Sequence, residues 1–76
     1  MEKKITVYVV ATPAQVEALG TDNVKSNDGV HTVKAGVAVE GVPFTSKRQA
    51  VEATELLAKF DLETTVLTQK RTVQLT

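Results

Sequence analysis

The first regular alternation of apolar and polar side chains covers residues 5 to 11, "ITVYVVA". An extended chain would place Ile5, Val7, Val9 and Ala11 on one side and Thr6, Tyr8 and Val10 on the other. This period of two predicts a half-buried β-strand. Two lysines precede the run, as in a secretory signal sequence, but the run is too short and alternates, so we interpret it as a strand.

A short helix is predicted directly after this strand. Thr12 provides a helix-capping oxygen, Pro13 suits the first helical position, and Gln15 completes a capping box. The helix "PAQVEAL" should end at Gly20. The polar run after it, "TDNVKSNDG", predicts a loop that ends in an Asp28-Gly29 turn and holds at most a short edge strand over Asn23 to Ser26.

Alternation returns from Val30 to Glu40 and predicts a second half-buried strand. Gly36 lies in its middle, where it marks either a bulge or a turn that splits the strand in two. Glu40-Gly41 is the expected two-residue turn of a hairpin whose second arm is the short run "VPF".

The apolar spacing then changes to that of a helix. Ser46 and Gln49 form a potential capping box, and an apolar stripe follows at Ala50, Ala53, Thr54, Leu57 and Phe60. Asp61 is expected in the left-handed conformation at the helix end, before the strand "LETTVLT". The apolar positions change parity at Gln69 to Arg71, which predicts a turn or bulge and a separate strand after it.

The order of elements is therefore β-α-β-β-α-β, with a further strand possible at the C-terminus. It predicts an α+β fold in which residues 1–76 form a single domain. We expect a mostly antiparallel sheet of four or five strands with both helices on one face.

Composition narrows the functional classes. Nine basic and nine acidic residues balance, so the chain lacks the overall positive field typical of nucleic-acid-binding proteins. Cysteine is absent, which excludes disulfides and thiolate chemistry and favours a cytoplasmic protein. No apolar run is long enough to cross a membrane.

Catalytic and metal-binding patterns are missing from the sequence. His31, the one histidine, is expected to be an exposed turn residue, because a general base needs an orienting partner and a metal needs more ligands. Asp22, Asn23, Asn27 and Asp28 lack EF-hand spacing, and no glycine run resembles a phosphate-binding loop. We therefore expect no enzyme activity, no cofactor, no metal and no small-molecule substrate.

The leading hypothesis is a small non-catalytic protein that binds another protein, as a homodimer, in the manner of an adaptor or inhibitor from a phage or other mobile element. The expected surface is an uncovered sheet face, which a partner would stabilise by covering it. The candidate partner-binding residues on and around that face are Tyr8, Val10, Thr32, Lys34, Ala38, Lys70 and Arg71.

Two alternatives remain open. The first is RNA or single-stranded nucleic acid on the same sheet face, with Tyr8 as a stacking residue and Lys47, Arg48, Lys70 and Arg71 as cations. The second comes from the run "VPFTSKRQAVEATELLAKFDLETTV", about a third of the chain, which resembles the second half of a SPOR-type peptidoglycan-binding repeat. That resemblance implies a peptidoglycan-binding module.

Overall fold

The computed structural model describes residues 1–75. The elements along the chain are β1 (Glu2–Ala11), α1 (Pro13–Leu19), β2 (Val24–Asn27), β3 (Val30–Val33), β4 (Val42–Phe44), α2 (Lys47–Ala58) and β5 (Thr65–Gln74).

All five strands form one sheet in the order β2-β3-β5-β1-β4. β1 runs antiparallel to β5 along its full length and antiparallel to β4 at residues 8–10 only. β3 runs parallel to β5, so the sheet is mixed. The predicted α+β class and a sheet of five, mostly antiparallel strands are confirmed, with β3 and β5 as the one parallel pair. The additional strand is β2 and not a separate C-terminal strand.

The two helices lie on opposite faces of this sheet, and the prediction that both share one face is wrong. The connection from β1 to β2 through α1 and the connection from β4 to β5 through α2 each join two parallel strands. Both connections lead across the sheet towards the edge formed by β2. The strands from which they start, β1 and β4, are antiparallel to each other. Because such crossovers are almost always right-handed, they place their helices on opposite faces.

The face covered by α1, here the α1 face, holds the main core. Its buried residues are Val7, Val9, Ala11, Val33 and Leu67. Val16 and Leu19 of α1 pack against this cluster, and so do Val37 and Val39 from the segment between β3 and β4. No residue of α2 belongs to it, which agrees with the topological argument.

Residues 34–41 form an irregular cover over the α1 face. Gly36 has φ +86° and lies in a turn, so the predicted strand from Val30 to Glu40 ends at Val33. Gln69 is 2% exposed, and its Nε2 donates to the carbonyls of Lys34 (3.0 Å) and Val37 (2.7 Å). This buried side chain holds the segment on the sheet. The sequence does not indicate this anchor, because the alternation of apolar and polar residues simply continues from Val30 to Glu40.

The predicted hairpin at Glu40-Gly41 does not form. β4 leaves the vicinity of β3 and pairs with β1 at the other edge of the sheet. Gly41 makes this crossing possible, because its φ is +138° and a Cβ there would lie 2.5 Å from the carbonyl oxygen of Val10. A close approach of two backbones therefore replaces the expected turn.

The opposite side of the sheet, here the α2 face, carries Thr6, Tyr8, Val10, Val66, Thr68 and Lys70. α2 packs on β1, β4 and β5. Val10 and Ala50 are both buried, and neither belongs to the core of the α1 face. They mark a second, smaller core under α2.

The ends of both helices show which local signals hold. Thr12 and Gln15 form the predicted capping box of α1. Ser46 occupies the N-cap of α2 but makes no side-chain capping bond, so the second predicted box is absent. Asp61 adopts φ +60°, as predicted, and closes α2 with Leu62 N donating to Leu57 O.

The strand predictions at β2 and at β5 have different outcomes. The edge strand expected at Asn23 to Ser26 appears as β2, joined to β3 by the predicted Asp28-Gly29 turn, in which both residues have positive φ. The break predicted at Gln69 to Arg71 is wrong, because β5 is continuous and β1 pairs with it throughout. Gln69 is polar but occupies a core position, so the apolar residues of β5 do not alternate regularly along the sequence.

Candidate functional site

The candidate site is the part of the α2 face that α2 leaves open. α2 packs on β4, β1 and β5, whereas β2 and β3 lie beyond it on the far side of β5. Register places Lys25, Thr32 and Thr68 side by side across β2, β3 and β5, with Tyr8 of β1 next in the row. The row therefore runs from an exposed lysine at the sheet edge to a half-buried tyrosine beside α2.

A second row on the same face lies two residues further along β3 and β5. Lys70 of β5 is opposite Thr6 of β1. Lys34 follows β3 immediately, and its amide donates to the carbonyl of Asn23 at 2.8 Å, which continues the strand pairing by one step. The row thus places Lys34 beside Lys70.

These two rows border a hollow of about 590 Å³. Its lining residues are Asp22, Asn23, Lys25, Thr32, Val33, Lys34, Ala35, Thr68 and Lys70. Three of them are lysines, and one, Asp22, is a carboxylate. The hollow is therefore positive, although the chain as a whole is neutral.

None of these lysines forms a salt bridge with another of residues 1–75. Within residues 1–75, the one salt bridge joins Arg48 to Glu52 on α2, with Nε and Oε1 3.2 Å apart. Lys25, Lys34 and Lys70 are all exposed. Their ammonium groups are available to an anionic ligand without first breaking an internal ion pair.

The structure separates the seven predicted partner-binding residues into three places. Thr32, Lys34 and Lys70 line the hollow, and Tyr8 borders it through Thr68. Val10 is 4% exposed beneath α2, so it is not part of an open surface. Ala38 lies in the segment that covers the α1 face, and Arg71 faces that same side, where its Nε donates to Gln69 at 2.9 Å.

The expectation of a sheet face left open around Tyr8 and Val10 is therefore wrong, because α2 covers that half of it. Sequence reasoning also missed Lys25 and Thr68 as lining residues. The alternation of Val24 with Lys25 in the polar run "VKSN" is the signal that could have indicated a strand with one exposed lysine.

A second exposed feature is apolar and lies at the end of α2. Leu56 is 56% exposed, Phe60 71% and Leu62 52%. Phe60 was expected in the buried stripe, but the stripe ends at Leu57 and the helix itself ends at Ala58. These three residues are here called the α2 patch.

Ser26 and His31 make a hydroxyl–imidazole contact that the sequence analysis did not anticipate. The β2–β3 hairpin pairs the two residues, and Ser26 Oγ lies 2.7 Å from His31 Nδ1. Ser26 is exposed, and among the described residues no carboxylate hydrogen-bonds the ring. The contact therefore resembles a cross-strand hydrogen bond more than a nucleophile with an oriented base.

Residues 1–75 contain no group of three or more histidine, cysteine, aspartate or glutamate side chains positioned to hold a metal ion. Within the same residues, no helix has the length and hydropathy needed to cross a membrane.

Comparison of the chain with protein-family models, with curated proteins and with solved structures gave no match. The functional argument therefore rests on the geometry of the hollow and of the α2 patch.

Proposed function

We propose that this is a non-catalytic protein that acts by protein–protein binding, and that it forms a homodimer through α2. The observation that carries the proposal is the exposure of Leu56 and Phe60, which are more than half accessible to water. Phe60 lies two residues beyond the end of α2, in a turn where its amide donates to the carbonyl of Leu57 at 3.0 Å, so the chain stays close to helical winding and the two side chains form one apolar strip. Covering such a strip removes apolar surface from water and stabilises the assembly.

A second copy of α2 fits this strip when the two helices pack antiparallel about Leu56. A twofold axis at that residue brings Leu56 against its own counterpart. It also brings Phe60 of each copy over Ala53 of the other, because these positions lie almost equally far from Leu56 on either side. Ala53 is half-buried and small, so a ring can lie close to the helix axis there.

The charges on α2 favour the same arrangement. Glu52 and Lys59 also lie almost equally far from Leu56, in opposite directions. Antiparallel packing therefore places each Glu52 near the Lys59 of the other copy, and the twofold axis makes this pair twice. A parallel arrangement would instead bring identical charges together, which costs free energy.

The size of the surface sets the expected strength. A helix of twelve residues is about 18 Å long, which is short for an interface of standard size. We expect a dimer with a dissociation constant on the order of micromolar or weaker. A role as a cytoplasmic adaptor or inhibitor belongs to the same proposal, and the cytoplasmic location is supported by the absence of cysteine from the sequence.

The first experiment measures molar mass by sedimentation equilibrium across a wide range of protein concentrations. Leu56→Asp should abolish self-association, because a carboxylate would be desolvated at the centre of the interface without a counter-charge. Val51→Asp is the matched control. Val51 is exposed on the same helix, but five residues from Leu56 and thus about 140° round the helix, so dimerisation should persist. A monomer at every concentration of the unmodified chain would refute the proposal.

A charge reversal tests the antiparallel geometry itself. Glu52→Lys should weaken the dimer by facing Lys59 of the other copy with a like charge. Adding Lys59→Glu should restore it, because both pairs are then opposite in sign again. Glu55→Lys serves as the control on the same helix. Failure of the double variant to recover would show that α2 does not pack in this register.

A further inference from the structure

We propose that the hollow on the α2 face binds the phosphodiester backbone of a single-stranded nucleic acid. Its cations are Lys25, Lys34 and Lys70, with Lys4 at the end of the surface. Lys4 is on the same face because it has the same parity as Thr6, and it lies diagonally from Lys70. This inference uses a surface separate from the α2 patch and does not depend on the proposed dimer.

The spacing of these lysines suits a polymer better than a single phosphate. They are distributed over β2, the end of β3, β5 and β1, and three gaps between neighbouring strands span about 14 Å. A free phosphate or a lipid headgroup would reach one or two of them. A strand crossing the sheet would bring successive phosphates past all of them.

Hydroxyl groups fill the spaces between the charges. Thr6 is the cross-strand neighbour of Lys70 and Thr32 that of Lys25, while Thr68 lies between Thr32 and Tyr8. Each hydroxyl can donate to a phosphate oxygen or a sugar. Tyr8 continues the row beyond Thr68 and is half-buried, so one edge of its ring is available to a base. The surface therefore offers contacts to the backbone and one contact to a base, without a pattern that selects a sequence.

A single strand fits better than a duplex because the hollow is bounded. α2 stands on one side of it, over β1 and β5, and residues Asp22, Asn23 and Ala35 line it on another. A duplex is a wide cylinder that would contact the rims before its phosphates reached Thr68. The balanced net charge predicts moderate binding. Each lysine–phosphate contact releases counterions, so the binding should weaken as salt is raised.

The experiment measures fluorescence anisotropy of a labelled fifteen-nucleotide oligo(dT) at low and moderate salt. Lys34→Gln with Lys70→Gln should weaken binding about tenfold, and the dependence of log K on log salt should become shallower by about 0.7 for each lysine removed. Lys3→Gln with Lys47→Gln is the matched control, with the same loss of charge. Lys3 has the parity of the α1 face and Lys47 begins α2, so their removal should change affinity less than about threefold.

Further arms distinguish the possible ligands. Inorganic phosphate and phosphatidylserine vesicles should bind more weakly than the oligonucleotide, and a duplex of the same length should compete poorly. Amide signals of Lys25, Thr32, Lys34 and Thr68 should shift in NMR spectra on adding oligo(dT). Equal losses in both double variants, no binding of oligo(dT) at low salt, or tighter binding to vesicles or duplex would each overturn the inference. Leu56→Asp should still bind oligo(dT), so the dimer and the nucleic-acid site can fail independently.

Discussion

The α1 face and the α2 face are formed by alternate residues of the same strands, yet the core of the first is closed and the second is half open. The α1 face is covered by a helix of seven residues together with the irregular segment 34–41. The α2 face has a longer helix but no second cover, so β2 and β3 stay accessible there. Helix length alone therefore does not decide which face is closed.

The difference follows from the side chains that each face presents to the segment packed on it. On the α1 face, apolar side chains surround Gln69, which fixes the irregular segment through two hydrogen bonds. On the open half of the α2 face, the equivalent positions are threonines and lysines, which stay hydrated at little cost. Both proposed binding surfaces lie outside the closed face.

The largest expected effect comes from emptying the closed face. Leu67 is fully buried there, and Leu67→Ala should lower the free energy of unfolding by about 3 to 4 kcal/mol. A chain of this size has a total stability of only about 4 to 11 kcal/mol, so many molecules could unfold. Urea denaturation followed by circular dichroism measures the change.

Val66, the neighbour of Leu67 in β5, allows the packing of the two faces to be compared. Val66 has the opposite orientation and is half-buried under α2, so Val66→Ala should cost about 1 kcal/mol. Similar losses for the two variants would mean that the α2 face is as well packed as the α1 face, against the comparison drawn above.

The second prediction concerns the polar residue that holds the irregular cover. Gln69→Leu fills the same core position with an apolar side chain of similar size. It leaves the carbonyls of Lys34 and Val37 without the amide that donates to them. The expected loss is about 2 to 3 kcal/mol. Hydrogen exchange at the Val37 amide should accelerate more than exchange in β1, because the segment would open locally.

Thr68→Val is the matched control for this variant. Thr68 is adjacent in β5 and faces the opposite side, so the change should cost less than about 1 kcal/mol and leave exchange in residues 34–41 unaltered. Uniform acceleration across the sheet in Gln69→Leu would show global destabilisation in place of a released cover.

Local signals in the sequence predicted much of this fold. The period of two identified β1, and the capping residues identified the starts of α1 and α2. The Asp28-Gly29 turn and the left-handed Asp61 were also correct, because each depends on residues close together in the chain. These features need no knowledge of distant contacts.

Apart from the absent Ser46–Gln49 capping box, the errors described here involve partners far apart in sequence. The hairpin expected at Gly41 failed because β4 pairs with β1, thirty or more residues away. The break expected at Gln69 failed because a buried amide side chain can replace an apolar one when distant carbonyls accept its hydrogen bonds. Opposite placement of the helices required the strand order, which no local pattern contains.

The candidate site was predictable to a similar extent. Thr32 and Lys34 were identified from their outward positions on a predicted strand, and Lys70 as a basic residue of a predicted turn. The structure brings all three to one hollow. Lys25 could be placed beside them only when β2 and its register were known. Arg71 follows Lys70 directly but faces the other side, because β5 continues through the predicted break.

The smallest expected effect tests the cover of the α2 face. Leu57 is half-buried on the inner side of α2, and Leu57→Ala should cost about 1 to 2 kcal/mol. Because Leu57 does not belong to the core of the α1 face, the loss should be smaller than that of Leu67→Ala. Glu55→Ala, on the exposed side of the same helix, should change stability by less than about 0.5 kcal/mol.

A double-mutant cycle makes this last prediction specific to one face. Val10 is buried under α2, so Val10→Ala and Leu57→Ala remove parts of the same small core, and their effects should not add. Leu67→Ala acts on the opposite side of the sheet, and its effect should add to that of Leu57→Ala within about 0.5 kcal/mol. Coupling of Leu57 to Leu67 but not to Val10 would place α2 on the same face as α1, because only residues that share a core lose their additivity.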